Sequence, residues 1–377
     1  MEFSFDATLT QLRERGRDLG RTLVEPTVTA RDRQAAWRPE LFGALAEAGL
    51  TGSLLPASYG GLGLSVLETV ALLEGFGEGA TDAGLALAVG VHGVLCGVPV
   101  ATLGTAEQQK RYLAGITSGQ RLAALALSEL DGGATARGSG LTAVRTQDGW
   151  LLTGTQQNVV NGPPADHFLL TAATAAGRTA FLVDRGTPGL AVLPESGAVA
   201  LRTATSAELV LTECRVGPDA VLGTPGAASR ELVPLLAALD RTCLMAPWLG
   251  ILRVLAGRTL ALAAEQPLFG GPLRRSQSVR RAVVDVQTRV ELGATLLYRV
   301  AWQLGRAERA PRADAAAAKL FLVGAVREAL RTATEFAGTG AGDLLERMGR
   351  DVLALAGSGG GDEVLRSVVA GALLELG

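Results

Sequence analysis

From Ala126 to Gly162 the chain reads ALSELDGGATARGSGLTAVRTQDGWLLTGTQQNVVNG, a run of strand, turn and glycine signals set between tracts of helical pattern. A helix brings side chains round every 3.6 residues and a strand every two, so one stretch cannot serve both periods. The change of period therefore imposes an order of helices, then strands, then helices again. A site is expected at the seam.

Ahead of the seam, apolar residues at three- and four-residue steps predict amphipathic helices over Thr8–Leu23 and Gln34–Leu50, separated by Pro26. Leu54–Gly63 is a glycine turn. Ser65–Phe76 and Ala83–Leu103 are almost wholly apolar helices, which implies burial on most faces. Thr105 caps a further helix that ends at Ser118 and Gly119. Seven short β-favouring runs follow: 121–128, 141–145, 149–153, 167–172, 179–183, 189–193 and 207–214. Their spacing predicts an antiparallel barrel or sandwich.

Beyond it, helical periods over Ser229–Ala264, Ser276–Arg306, Ala313–Phe336 and Asp362–Leu376 predict a four-helix bundle. The fold class expected is α+β, with a helical domain over 1–120, a β domain over 121–228 and the bundle over 229–377.

Composition narrows the function classes. Of 377 residues 48% are apolar, yet no uninterrupted apolar run reaches the ~18 residues of a membrane span, so a soluble protein without membrane partners is expected. The N-terminal order lacks the basic-then-apolar pattern of a signal peptide. Cys96, Cys214 and Cys243 show no C-x-x-C spacing and read as buried thiols in a reducing cytoplasm. His92 and His167 have no metal-ligand spacing, and no metal is expected. A net charge of −2 and the lack of basic-aromatic clusters speak against nucleic acid as the partner.

Seven local sequences, in order, resemble those of the acyl-CoA dehydrogenase family over nearly the whole chain. They are Pro56–Gly63, Leu103–Gly119, Ala126–Glu129, Gly154–Gly162, Ala207–Gly223, Phe269–Leu273 and Arg350–Asp351. The resemblance implies FAD between the β domain and the bundle, a homodimer or homotetramer, and oxidation of an acyl thioester of CoA or a carrier protein to its α,β-unsaturated form. That reaction needs a carboxylate for the α-proton, donors for the thioester carbonyl and a hydride acceptor behind the β-carbon.

Carried over residue by residue, the resemblance puts Ser128 at the flavin-contacting hydroxyl, and Thr135 beside the serine position now held by Ala134. Asn158 stands where the family has the aromatic residue covering the flavin, and Val160 where it has a hydroxyl donor to flavin N5. Gln266, before Phe269, replaces an arginine for the FAD diphosphate, with Arg274 and Arg275 nearby. Thr334 takes a glutamine position, and Gly338 keeps the following turn. The usual catalytic glutamate falls on Gly359, which keeps only a backbone N–H donor. Some members carry the base instead on the first bundle helix, and there Leu236-Ala-Ala-Leu-Asp240-Arg241 offers Asp240, one methylene shorter. Two readings of Asp240 stay open: the base, or a carboxylate paired with a local arginine.

The first expectation is thus an FAD-dependent acyl-thioester dehydrogenase with Asp240 as base. Two others remain beside it: a member that has lost FAD and serves a non-redox or scaffold role, and a flavin-dependent monooxygenase on the same fold.

Overall fold

The computed structural model describes residues 6–127, 140–268, 271–306, 311–357 and 361–374. The chain opens with α1 (Ala7–Leu19), whose N-cap Asp6 accepts from Leu9 N–H. It runs without a break through a π-helical turn, Gly20–Val24, into α2 (Glu25–Gln34). Pro26 therefore does not separate two helices as the sequence predicts. It sits in the first turn of α2, where a missing N–H costs nothing, directly after the π turn. Next come α3 (Pro39–Glu47) and α4 (Val66–Ala80), the second started by a capping box between Ser65 and Glu68.

The apolar stretch 83–103 is one helical run: α5 (Ala83–Val89), a second π segment over Gly90–Gly97, and α6 (Val98–Leu103) with Pro99 in its first turn. A Thr105–Gln108 capping box starts α7 (Ala106–Thr117). Two helical runs, Ala83–Leu103 and Ala228–Glu265, are long and apolar enough by composition to cross a membrane. In each, 89% of the apolar window is buried inside the protein.

The strands are β1 (Ala123–Ala126), β2 (Thr142–Arg145), β3 (Trp150–Val160), β4 (His167–Thr174), β5 (Gly177–Asp184), β6 (Leu190–Pro194), β7 (Ser206–Val216) and β8 (Val221–Leu222). They form one sheet in the order β6-β7-β3-β2-β4-β5-β8, with β1 also on β4. Antiparallel pairing holds for β2–β3, β3–β7, β4–β5, β5–β8 and β6–β7. The expected all-antiparallel sheet is corrected at β4, which β1 and β2 join in parallel along one edge, making the sheet mixed. A parallel neighbour needs a long crossover, and β1 has one because two strands intervene before β4. β3 bulges twice against β7, between Leu152 and Gly154 and between Gln156 and Val159. Gly154 is required at the first bulge: its φ is +128°, and a Cβ would lie 1.8 Å from Gly140 O.

The remaining helices are α8 (Ala228–Thr242), α9 (Ala246–Glu265), α10 (Gln277–Leu304), α11 (Arg312–Ala337), α12 (Gly342–Gly357) and α13 (Asp362–Leu373). Among the described residues this is six helices rather than four. The predicted helix over 229–264 divides at Cys243–Met245, with Pro247 opening α9, and α12 is additional. A single apolar core joins α4–α6 to the bundle, while the sheet holds a second core around Trp150, Phe168, Phe181 and Leu209. Helix α9 lies against α4 so closely that a Cβ on Gly250 would fall 2.1 Å from Glu74 O.

Candidate active site

Where α5 meets the α8–α9 junction the core leaves a narrow cavity of about 20 Å³. Its walls are apolar: Ala86 and Leu87 from α5, Leu244 and Pro247 at the junction, Trp248 on α9 and Leu355 on α12. Asp82 caps α5 through Leu85 N–H at 3.0 Å and so fixes the first wall. Into this apolar lining come two ionisable side chains, Asp240 from α8 and Lys319 from α11. Lys319 Nζ donates to Asp240 Oδ2 at 2.6 Å, with side-chain exposures of 1% and 8%. Among the described residues no donor reaches Oδ1.

The expected partner of Asp240 was a local arginine, and that is corrected. Its neighbour Arg241 is fully buried, and burial first, Arg312 second, lowers its pKa to about 10. Lysine 319 is one of only two lysines in the chain and lies in the run AAAAKLFLV. A lysine in an apolar helical stripe demands a carboxylate on the facing helix, and that signal was available in the sequence.

At the seam, Asn158 is exposed and left-handed (φ +57°) at the second bulge of β3, and its N–H donates to Glu195 Oε1 at 3.2 Å. Val160, half-buried, packs on the helical core, with Ser206 as its cross-strand partner on β7. Two inner groups hold this end of the sheet to the helices. Asn161 Nδ2 donates to Ala88 O at 2.8 Å, while His92 Nε2–H meets Ile116 O at 2.8 Å and its Nδ1 accepts from Ala123 N–H at 3.0 Å. Burial lowers the His92 pKa to about 4, so it stays neutral in this clamp, the ordinary role expected of it.

The loop between β6 and β7 is fastened by a buried polar network. Asp351 accepts from Leu201 N–H at 2.6 Å, Asp82 forms an ion pair with Arg31 at 2.8 Å and accepts from Thr203, and Arg347 donates to Thr81 O at 2.7 Å. Arg350 pairs with Asp32. Burial first, then Asp82 and Asp32, raises the Asp351 pKa to about 6, against the lowering by Leu201 N–H. Arg350–Asp351 thus serves to hold the loop that leads to Thr205 and Ser206.

The other candidates are dispersed. Gln266 ends α9, with its N–H on Leu262 O and its carbonyl accepting from Leu273 N–H at 2.7 Å. Thr334 is exposed on α11, and Gly338 (φ +56°) turns the chain after it. None of the three lies on the cavity wall. Ser128, Thr135, Phe269 and Gly359 lie outside the described residues, and so does Ala134. Arg274 reaches back to Ala264 O at 3.5 Å and rims an apolar groove between α9 and α10. Among the described residues no cluster of three or more metal-ligating side chains occurs.

Two polar groups at the seam would suit a flavin. Asn161 Oδ1 and Thr205 Oγ1 are buried without partners among the described residues, on either side of the β3–β7 end that carries Val160. Buried polar atoms of this kind call for a polar ligand or water. The β3 end offers no aromatic cover, since Asn158 is polar and exposed. It does offer hydrogen-bonding capacity.

Comparison with known proteins places the whole arrangement. The acyl-CoA dehydrogenase N-terminal domain matches residues 6–120, the middle domain 124–214 and the C-terminal domain 236–374. An L-prolyl-[peptidyl-carrier protein] dehydrogenase of Pseudomonas fluorescens is 31% identical over 268 residues, 70% of each chain. The structure of PigA with FAD and proline superposes with a TM-score of 0.95 at 26% identity over all of both chains. Butyryl-CoA dehydrogenase from Megasphaera elsdenii superposes with a TM-score of 0.92 at 27% identity, covering 99% of this chain and 100% of that one. With all three domain matches in order on one fold, the chain belongs to the acyl-CoA dehydrogenase family.

Proposed function

We propose that this flavoprotein oxidises a short acyl group, carried as a thioester on CoA or a carrier protein, with Asp240 taking the α-proton. The observation that carries the reading is the Asp240 carboxylate on the wall of an apolar cavity, one oxygen held by Lys319 and the other without a donor among the described residues. FAD, when bound, supplies the acceptor for the β-hydrogen as hydride. Asn161 and Thr205 are the described residues suited to hold it at the seam, and Ser128, by resemblance, is a third.

The chain's own part follows from the cavity. Its aliphatic and indole walls exclude water, which strengthens the field of Asp240 on a C–H it faces. Aspartate reaches roughly 1.5 Å less far than glutamate, so the acyl Cα must lie close to α8, which favours a small acyl group over a long one. The relatives fit this size: one is named for a prolyl carrier-protein thioester, another for butyryl-CoA. Oxygen Oδ1 is the atom that would receive the proton. The backbone N–H of Gly359 remains, by resemblance, a donor for the thioester carbonyl.

We further read the protein as a cytoplasmic homodimer or homotetramer. Its free cysteines, Cys96, Cys214 and Cys243, are all buried and suit a reducing compartment. The groove beside α9 and α10 exposes Leu260 and Val284, an apolar surface that a second subunit would cover. The absorption spectrum of the purified protein at about 370 and 450 nm tests the cofactor directly. Flavin bands, or their gain on titration with FAD, are expected. A colourless protein that takes up no FAD contradicts the proposal.

A further inference from the structure

We infer that Lys319 is the positioning residue of Asp240: it binds one carboxylate oxygen, keeps the group ionised in an apolar cavity and leaves the other oxygen for substrate. The inference rests on the base assignment proposed above and adds a residue that the motif comparison did not supply. Three features carry it. The contact is short, 2.6 Å from Nζ to Oδ2, and Lys319 comes from α11 while Asp240 belongs to α8, so the pair spans the cavity between two packed helices. Both side chains line that cavity, and among the described residues they are its only ionisable groups. The next charge along α8, Arg241, is buried and feels the charge of Arg312.

The chemistry then follows. A lone carboxylate walled by Leu87, Leu244, Trp248 and Leu355 would be desolvated, which favours the protonated acid, and a protonated acid cannot take a proton from Cα. An ammonium in hydrogen-bond contact reverses that preference. It also fixes rotation about Cβ–Cγ, since the lysine takes Oδ2 and leaves Oδ1 without a donor among the described residues. During the step the Cα–H bond breaks, the proton moves to Oδ1 and its electron pair stays on the acyl group; Lys319 itself neither gains nor loses a proton. Its role is orientation and charge state.

The test uses the full-length holoenzyme and two probes, butyryl-CoA and a prolyl carrier-protein thioester, under anaerobic conditions. Exchange of the α-hydrogen with D2O is followed by mass spectrometry across pH, which reports the base independently of net oxidation. We expect Lys319→Met to lower exchange at neutral pH by about tenfold or more and to move the acid limb of its pH profile upward, with Lys319→Arg restoring both. Should Lys319→Met not fold, Lys319→Gln keeps a donor for Oδ2 without the charge, and the same upward move is expected. An acid limb that stays in place in folded Lys319→Gln or Lys319→Met, while Asp240→Asn abolishes exchange, overturns the role of Lys319 alone. Exchange that persists in Asp240→Asn overturns the base assignment and this inference with it.

Discussion

Two buried carboxylates face the same bundle and are held in opposite ways. Glu74 on α4 is fully enclosed and saturated: Oε1 accepts from Arg13 Nε at 3.0 Å and Arg253 Nε at 2.6 Å, and Oε2 accepts from the Tyr298 hydroxyl at 2.5 Å. Three helices, α1, α9 and α10, meet on that one group. Among the described residues Asp240 has a single donor, Lys319, and it borders a cavity. The difference separates structure from chemistry. A carboxylate with both oxygens occupied ties elements together and has nothing left to offer, whereas one with a spare oxygen beside an apolar space can act on what enters it.

Mutation breaks or sharpens this contrast. The largest stability effect is expected at the saturated group: Glu74→Gln leaves two arginines around a neutral side chain and should cost about 3–5 kcal/mol, read as the urea unfolding free energy. Turnover per folded molecule should change little. At Asp240 the corresponding exchange, Asp240→Asn, leaves one buried cation, Lys319, beside a neutral amide and should cost about 3 kcal/mol in stability, but it should also abolish turnover.

A smaller, pH-dependent effect belongs to a third buried carboxylate, Asp351. Its folded pKa is raised to about 6, above the usual carboxylate value, so its favourable contribution is complete at low pH and is lost as pH rises through about 6. Asp351→Asn keeps the acceptor for Leu201 N–H and cannot ionise. It should therefore gain on wild type by about 2 kcal/mol between pH 4.5 and 7.5; equal pH dependence in the two proteins would show that Asp351 titrates normally. The smallest effect is expected at His92. His92→Gln loses one of two backbone contacts, about 1 kcal/mol at pH above 7; the folded ring stays neutral down to about 4 while the unfolded one protonates near 6.5, so wild type alone loses stability as pH falls between those values and the deficit of the variant shrinks there.

The sequence made the order of elements and all seven longer strands legible, because alternation and helical period are local properties. It was silent where the decisive interaction is long-range. Lys319 and Asp240 are 79 positions apart, and only packing brings α11 onto α8. Pro26 misled because a proline was read as a break, when a π turn ahead of it lets the helix continue. Helix α12 went unread although Leu345, Met348, Val352 and Leu355 recur at helical spacing, and the parallel seat of β1 on β4 depends on a crossover that no local pattern records. At the site, Asp240 was legible from its place before Arg241, and Lys319 was legible as a lysine in an apolar helix, but not that the two meet. Asn158 and Val160 were legible as departures at the flavin seam. The compensating capacity of Asn161 and Thr205 emerged only with the chain folded.

One measurement tests the central claim most directly: the anaerobic bleaching of the flavin band at about 450 nm by butyryl-CoA and by a prolyl carrier-protein thioester, wild type against Asp240→Asn. With Asp240 as the base, at least one probe bleaches the wild-type band, and the variant, still folded and still yellow, bleaches it about 10²–10⁴ times more slowly. Equal bleaching rates in the two proteins would remove Asp240 from the chemistry and contradict the account.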